Sequence, residues 1–229
     1  MSLQGRLLGR PIAHRGLWRA SGPPENSLAA FEAACAANYG IELDVRLTAD
    51  GEAVVFHDES LERMTAESGL TEERTLEELT ALRLLGSNQS IPTLEQTLAL
   101  IAGRSVVLVE LKTPPGQEGA LEQRVAALLA AYAGPCGVLS FNPEALACIA
   151  QHGPAIARGL NARTEDAIET LQASKAHFLS VSQELAGHER AQDIRGSGRA
   201  VIAWTIRNRA EWDRASPLAD NLIFEGFAP

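Results

Sequence analysis

The sequence has few cysteines, and their spacing is irregular. Cys35, Cys136 and Cys148 are the three cysteines among 229 residues. An odd number without a repeated spacing argues against a disulfide framework or a cysteine-based zinc site. We therefore expect each cysteine to serve as a small, buried apolar residue.

Clustered positive charge and long apolar runs are also absent. The net charge is −9 and no stretch is rich in lysine and arginine, which argues against a nucleic-acid partner. No apolar stretch approaches the roughly 18 residues that cross a bilayer. The first eleven residues lack the apolar segment of a signal peptide. These absences predict a cytoplasmic protein that does not insert stably into a membrane.

What the sequence does contain is an alternation of short apolar runs and helical patterns. Capping signals at Thr75, Thr93 and Asn142-Pro143 mark the starts of helices. Alternating strands and helices predict a parallel sheet covered by helices. The nine predicted strands span residues 11–13, 40–45, 53–56, 105–111, 136–140, 155–160, 177–181, 200–205 and 221–224.

The second and third runs lie too close together to be parallel neighbours. Residues 46–52 separate them and contain the turn signal Asp50-Gly51, whereas a parallel crossover needs about a dozen residues. The two runs are therefore predicted to form an antiparallel hairpin. Eight strands remain, and they predict a (βα)8 TIM barrel with a hairpin extension on its second strand. A doubly wound sheet would need a glycine-rich phosphate loop after an early strand, and none is present.

Residues 58–90 interrupt the alternation. They are long, polar and carry one helical pattern near residues 75–84. A long segment that leaves the presumed active face of a barrel is typical of a lid or substrate cap. We therefore predict a single domain over residues 1–229, with residues 58–90 as a cap insertion.

Carboxylates fall inside two of the predicted strands, and one lysine directly follows the second of these. Glu42 and Asp44 share one face of the second barrel strand, and Glu110 and Lys112 share one face of the third. Burying such charges is costly unless they are paired or bind a metal. Three converging carboxylates predict a site for a hard cation, Mg2+ or Ca2+.

Two histidines and an arginine should join these carboxylates. His14-Arg15 follows the first strand, and the hairpin should bring His57 back opposite about Leu43. Histidines can donate and accept protons near neutral pH, and an arginine suits phosphate oxygens. No G-x-S-x-G motif or P-loop is present. Trp204 ends a predicted strand and is a candidate wall for a substrate pocket. The combination predicts metal-dependent cleavage of a phosphodiester.

Several separated motifs occur in a fixed order along the chain. They are His14-Arg15-Gly16, Pro24-Glu25-Asn26-Ser27, Phe31, and the segments at residues 40–45, 48–51, 54–58, 91–94 and 110–112. This order resembles that of one known family, the glycerophosphodiester phosphodiesterases. Ser140-Phe141 and Trp204-Thr205 are similar to later landmarks of this family, so the resemblance spans nearly the whole chain.

The resemblance implies a (βα)8 barrel that hydrolyses glycerophosphodiesters to glycerol 3-phosphate and an alcohol with one divalent cation. It implies that a glycerol hydroxyl attacks phosphorus, and that water then opens the cyclic phosphate. The implied roles are metal binding for Glu42, Asp44 and Glu110, acid–base catalysis for His14 and His57, and phosphate binding for Arg15 and Lys112.

One departure and several alternatives remain open. Phe224-Glu225 stands where the family usually has a threonine and an aspartate, a change expected to leave the metal and histidine positions untouched. The same site would serve a lysophospholipase D-like or other lipid phosphodiesterase. A metal-dependent sugar isomerase or lyase barrel, or a non-catalytic binding relative, is a more distant alternative. The expected partner is a small-molecule substrate, bound by a monomer or homodimer.

Overall fold

The strands form a closed parallel barrel. The computed structural model describes residues 7–171 and 174–229, so residues 1–6, part of the segment considered for a signal peptide, lie outside it. The strands are β1 Ile12–His14, β2 Gly40–Leu47, β3 Ala53–Val55, β4 Val107–Leu111, β5 Cys136–Ser140, β6 Ala157–Ala162, β7 Phe178–Ser182, β8 Val201–Ile206 and β9 Asn221–Phe224. All except β3 are parallel, and β9 pairs with β1 to close the barrel. The predicted (βα)8 fold is confirmed.

The hairpin has the predicted register. β3 runs antiparallel to β2, with Val45 opposite Val55. The pairing continues past β3, because the Phe56 N–H donates to the Asp44 carbonyl oxygen at 3.0 Å. Extending this register by one residue places His57 opposite Leu43. The short turn thus returns His57 to the strand that carries the two carboxylates.

The helices begin at the capping signals seen in the sequence. Thr75 and Thr93 both form capping boxes, and Asn142 caps the helix that starts at Pro143. The helices are α1 Leu28–Ala36, α2 Leu76–Ala81, α3 Leu94–Ile101, α4 Ala120–Ala131, α5 Pro143–His152, α6 Glu165–Glu169, α7 Glu189–Gly196 and α8 Arg209–Ala215. Within residues 7–171 and 174–229, no helix is long and apolar enough to cross a bilayer.

The side chains that point into the barrel form layers along the strand axis. One face of the strands packs against the surrounding helices, and the alternate face forms a second apolar cluster that includes Ile12, Leu108, Leu139, Ile202 and Ile223. Gly159 belongs to this packed region, because a Cβ there would lie 2.2 Å from the Phe178 ring. Side chains two residues further along a strand point to the same side. That rule places His14, Glu110, Phe141, Trp204 and Glu225 next to this second apolar cluster, toward the carboxyl ends of the strands.

Residues 58–90 fold onto the hairpin. They contain a 3-10 turn at Thr71–Glu73 and helix α2. Their own apolar side chains form a separate cluster on Val54 and Phe56, made of Leu61, Met64, Leu79 and Leu84 together with Ile91. The segment is therefore anchored to β3, next to the carboxyl ends of the barrel strands.

Candidate active site

The predicted site residues meet at one cavity. A cleft of about 290 Å3 opens at the carboxyl ends of the strands, where the active sites of such barrels lie. Asp44 lies beneath this cavity and is fully buried. The other seven predicted residues line it: His14, Arg15, Glu42, His57, Glu110, Lys112 and Trp204.

Glu42, Asp44 and Glu110 form a compact carboxylate triad. All three are buried, and one oxygen of each lies within 4.8 Å of the others. Asp44 stands beside Glu110 in the register of β2 and β4. Within the described ranges, the buried Glu42 Oε1 has no hydrogen-bond partner. A buried, unpartnered anionic oxygen in an all-oxygen cluster fits a divalent cation, so the triad could hold one.

The charges of the triad are only partly balanced. Burial raises the pKa of Glu42 well above its usual value, and the nearby carboxylates of Asp44 and Glu110 raise it further. Burial also acts to raise the pKa of Asp44, but Lys112 and Arg15 outweigh it and hold this pKa well below the usual range. Lys112 contacts Glu110 and lies 2.9 Å from Asp44 Oδ1. Glu42 is thus the carboxylate that would gain most from a cation.

His57 is held by a neighbouring carboxylate. Its Nδ1 lies 2.6 Å from Asp58 Oδ1, and Asp58 is paired in turn with Arg63. Burial lowers the pKa of His57, and the positive charges of Lys112 and Arg15 act in the same direction. Asp44 and Asp58 oppose this shift without reversing it, so the balance favours the neutral imidazole, the form that accepts a proton.

His14 is held in the same way by an unexpected residue. Its Nδ1 lies 2.6 Å from Glu225 Oε2, just after β9, while its Nε2 is 3.9 Å from Glu42 Oε2. The expectation that the change to Phe224-Glu225 leaves the histidines untouched was wrong. Glu225 binds His14 directly because β9 and β1 are neighbours in the closed barrel.

The contact between Glu225 and His14 predicts a positioning role. Glu225→Gln should lower kcat by about tenfold, because the imidazole loses the carboxylate that fixes its orientation. The matched control is Glu184→Gln, which removes the same charge from the same cavity and should leave kcat near the wild-type value. Equal losses in the two variants would show that only the charge of the cleft matters.

Arg15 connects the loop after β1 to the carboxylates through hydrogen bonds and ion pairs. Its backbone is in the left-handed region, with a φ of 58°, and its N–H donates to Glu42 Oε2 at 3.1 Å. Its guanidinium lies 2.8 Å from Glu25 and 3.2 Å from Asp44. Arg63, which lies within residues 58–90, binds Glu25 as well. This loop is therefore locked against β2, and phosphate binding by Arg15 stays a prediction.

Two asparagines that the sequence reasoning overlooked support the triad. Asn26 donates from Nδ2 to Asp44 Oδ2 at 2.8 Å, and Asn161 donates from Nδ2 to Glu110 Oε2 at 3.0 Å. The neighbouring Ser27, not Asn26, caps α1. The signal for Asn26 was its place in the Pro24-Glu25-Asn26-Ser27 motif. Asn161 showed no comparable signal.

The aromatic wall of the cavity is built from two strands. The ring of Trp204 in β8 meets that of Phe141 after β5 edge to face, with centroids 5.6 Å apart. The guanidinium of Arg163 lies over both rings. Trp204 thus stands at the predicted position in the wall, and Phe141 and Arg163 add to it.

Comparison with known proteins agrees with this geometry. The "Glycerophosphoryl diester phosphodiesterase family" matches residues 14–222. YhdW of Bacillus subtilis, provisionally named a glycerophosphodiester phosphodiesterase, is 33% identical over 214 residues, 86% of each chain. A glycerophosphodiester phosphodiesterase from the same organism is 28% identical over 235 residues, 89% of this chain and 78% of the relative.

Two solved structures are similar over almost the whole chain. A phosphodiesterase of Oleispira antarctica in complex with the product sn-glycerol-3-phosphate has a TM-score of 0.86 and 28% identity, covering 95% of this chain and 92% of the other. A glycerophosphodiester phosphodiesterase of Parabacteroides distasonis has a TM-score of 0.81 over 95% and 92% of the two chains. At 23% identity the latter supports the fold alone. The chain belongs to the glycerophosphoryl diester phosphodiesterase family.

Proposed function

We propose that this protein hydrolyses glycerophosphodiesters to glycerol 3-phosphate and an alcohol, with His14 and His57 as its acid–base pair. The observation that carries the proposal is that both imidazoles line the cavity beside the carboxylate triad, each with Nδ1 held by a carboxylate. The product bound to the Oleispira antarctica relative, sn-glycerol-3-phosphate, supports this choice of substrate.

Glu42, Asp44 and Glu110 would hold one divalent cation, Mg2+ or Ca2+, since both accept carboxylate oxygens. Such a cation neutralises phosphate oxygens and favours deprotonation of a hydroxyl. Lys112 adds a positive charge beside the same carboxylates and would attract the phosphate. Arg15 contributes a second positive charge, shared with Asp44 and Glu25.

The histidines would move two protons. Because Nδ1 of each ring is bound by Glu225 or Asp58, Nε2 is the atom left to act on the substrate. One imidazole would take the proton of the attacking glycerol hydroxyl, and the other would protonate the departing alcohol. A water molecule would then open the cyclic phosphate, with the proton transfers reversed.

A water-soluble substrate fits the cap segment better than a lipid does. Its larger apolar residues Leu61, Met64, Leu79 and Leu84 are buried, and only Leu70 and Leu85 are exposed. Two separate leucines do not form the continuous apolar surface that a lipid chain would need. We propose that residues 58–90 act as a cap over a small, polar substrate, in a cytoplasmic monomer or homodimer.

The direct test is release of glycerol 3-phosphate. Incubating the protein with glycerophosphocholine or another glycerophosphodiester should release it when Mg2+ or Ca2+ is present. A chelator should stop the release, because the triad would lose the ion that balances its charge, and excess metal should restore it. Absence of metal-dependent release from every glycerophosphodiester tried would contradict the proposal.

A further inference from the structure

Arg163 occupies an unusual position at the mouth of the site. It follows β6, two residues after Asn161, and its guanidinium carbon lies 4.6 Å from the ring centroid of Phe141 and 5.4 Å from that of Trp204. A cation at such distances over aromatic faces makes a cation–π contact. The two rings and the guanidinium therefore form one unit on the wall of the cavity.

Arg163 differs from the other arginines of the cleft in its ion pairing. Arg15 pairs with Glu25 and Asp44, and Arg207 pairs with Glu225. Among residues 7–171 and 174–229, no carboxylate lies within salt-bridge distance of Arg163. Its side chain is exposed and lines the cleft, so its positive charge can act on a bound substrate.

A second cavity of about 500 Å3 lies beside the first. The two cavities share five lining residues: His57, Glu110, Lys112, Phe141 and Arg163. A phosphodiester has two substituents on its phosphorus. If the phosphate were held at the shared lysine and histidine, one substituent could extend into each cavity, and Arg163, which lines both, would stand at their boundary.

We propose that Arg163 determines leaving-group specificity and selects against glycerophosphodiesters whose alcohol carries a positive charge. The proposal rests on the function proposed above. In many proteins, aromatic faces bind quaternary ammonium groups, and Phe141 and Trp204 present such faces. Here the guanidinium covers them, so a cationic alcohol meets repulsion where it would otherwise find a cation–π partner.

Two carboxylates outside the triad oppose this selection. Glu59 and Glu144 line the second cavity, and both attract a cation. The absolute preference of the enzyme reflects all of these charges together. A test of Arg163 must therefore keep the carboxylates constant and compare two substrates that differ in charge alone.

The experiment uses glycerophosphocholine and its neutral isostere, glycerophospho-3,3-dimethylbutanol, in which carbon replaces the quaternary nitrogen. The measured quantity is the ratio of kcat/KM for the cationic diester to that for the neutral diester. Arg163→Gln should raise this ratio about fivefold, the effect of one partly exposed charge on another. Arg163→Lys keeps the charge and should stay near the wild-type ratio. Because both kcat/KM values are measured on the same preparation of one variant, their ratio does not depend on the fraction of protein that is correctly folded.

The matched control is Arg104→Gln. Arg104 precedes β4, at the opposite end of the barrel, where it pairs with Glu32. Its removal changes net charge equally and should leave the ratio unchanged. An unchanged ratio in Arg163→Gln, or an equal rise in Arg163→Lys or Arg104→Gln, would overturn this inference alone. If the wild-type protein cleaved no glycerophosphodiester, the proposed function would fall, and this inference with it.

Discussion

Replacing His57 with alanine should lower kcat for glycerophosphodiester hydrolysis about a thousandfold, the contribution of a positioned proton-transfer group. The side chain lines the cavity and is not a member of the carboxylate triad. The variant should therefore bind the metal as wild type does, and this can be measured by calorimetric titration. Folding should also survive, because Asp58 keeps its ion pair with Arg63.

His152→Ala is the control for this result. His152 is exposed at the end of α5 and does not line the cleft, so its loss should leave kcat unchanged. Near-normal turnover by the His57 variant would refute its role in proton transfer. Loss of metal binding along with turnover would instead make His57 part of the metal site.

Replacing Glu42 with glutamine should have opposite effects on two quantities. The metal-free protein should become more stable, and its affinity for metal should fall. In the metal-free protein, burial and two neighbouring carboxylates raise the pKa of Glu42 above that of the unfolded chain, so its ionised form is disfavoured in the folded state. A group with a raised pKa destabilises the fold at any pH above its unfolded value, pH 7 included. The metal-free variant should therefore unfold at a higher temperature than metal-free wild type.

Adding metal should raise the Tm of wild type but not that of the Glu42 variant. Ligand at 100 times its Kd stabilises a protein by about 2.7 kcal/mol, so wild type should gain several degrees in Tm when Mg2+ or Ca2+ is added. Glu42→Gln should lose this gain and most of its turnover. Glu122→Gln is the control, because Glu122 is a buried carboxylate outside the site that already accepts bonds from Thr113 and Gly119. A full metal response in the Glu42 variant would exclude it as a ligand.

Local signals account for what the sequence predicted well. The turn Asp50-Gly51 fixed the hairpin, because too few residues separate the two strands for any parallel crossover. The spacing of two residues put Glu42 beside Asp44 and Glu110 beside Lys112 on inward faces. Such rules act over a few residues along the chain, and they were sufficient for the barrel and for bringing the seven predicted residues to the cavity at its mouth.

Contacts between distant strands account for what was missed. Glu225 was interpreted as a change of no consequence for the histidines, yet it lies 2.6 Å from His14 across 211 residues of chain. Asn161 reaches Glu110 across 51 residues. Neither partner can be identified from one sequence, because strand pairing specifies which neighbours meet but not which side-chain atoms reach each other.

The bond between Glu225 and His14 also bears on when activity appears during folding. It joins the first and last strands of the barrel, so it forms only when the ring of strands closes. Contacts of such long sequence separation carry a large loop-closure entropy and form slowly. Until the ring closes, His14 lacks the carboxylate that holds its Nδ1. Recovery of turnover after dilution from denaturant would then report closure of the barrel, and would lag behind the recovery of helical signal.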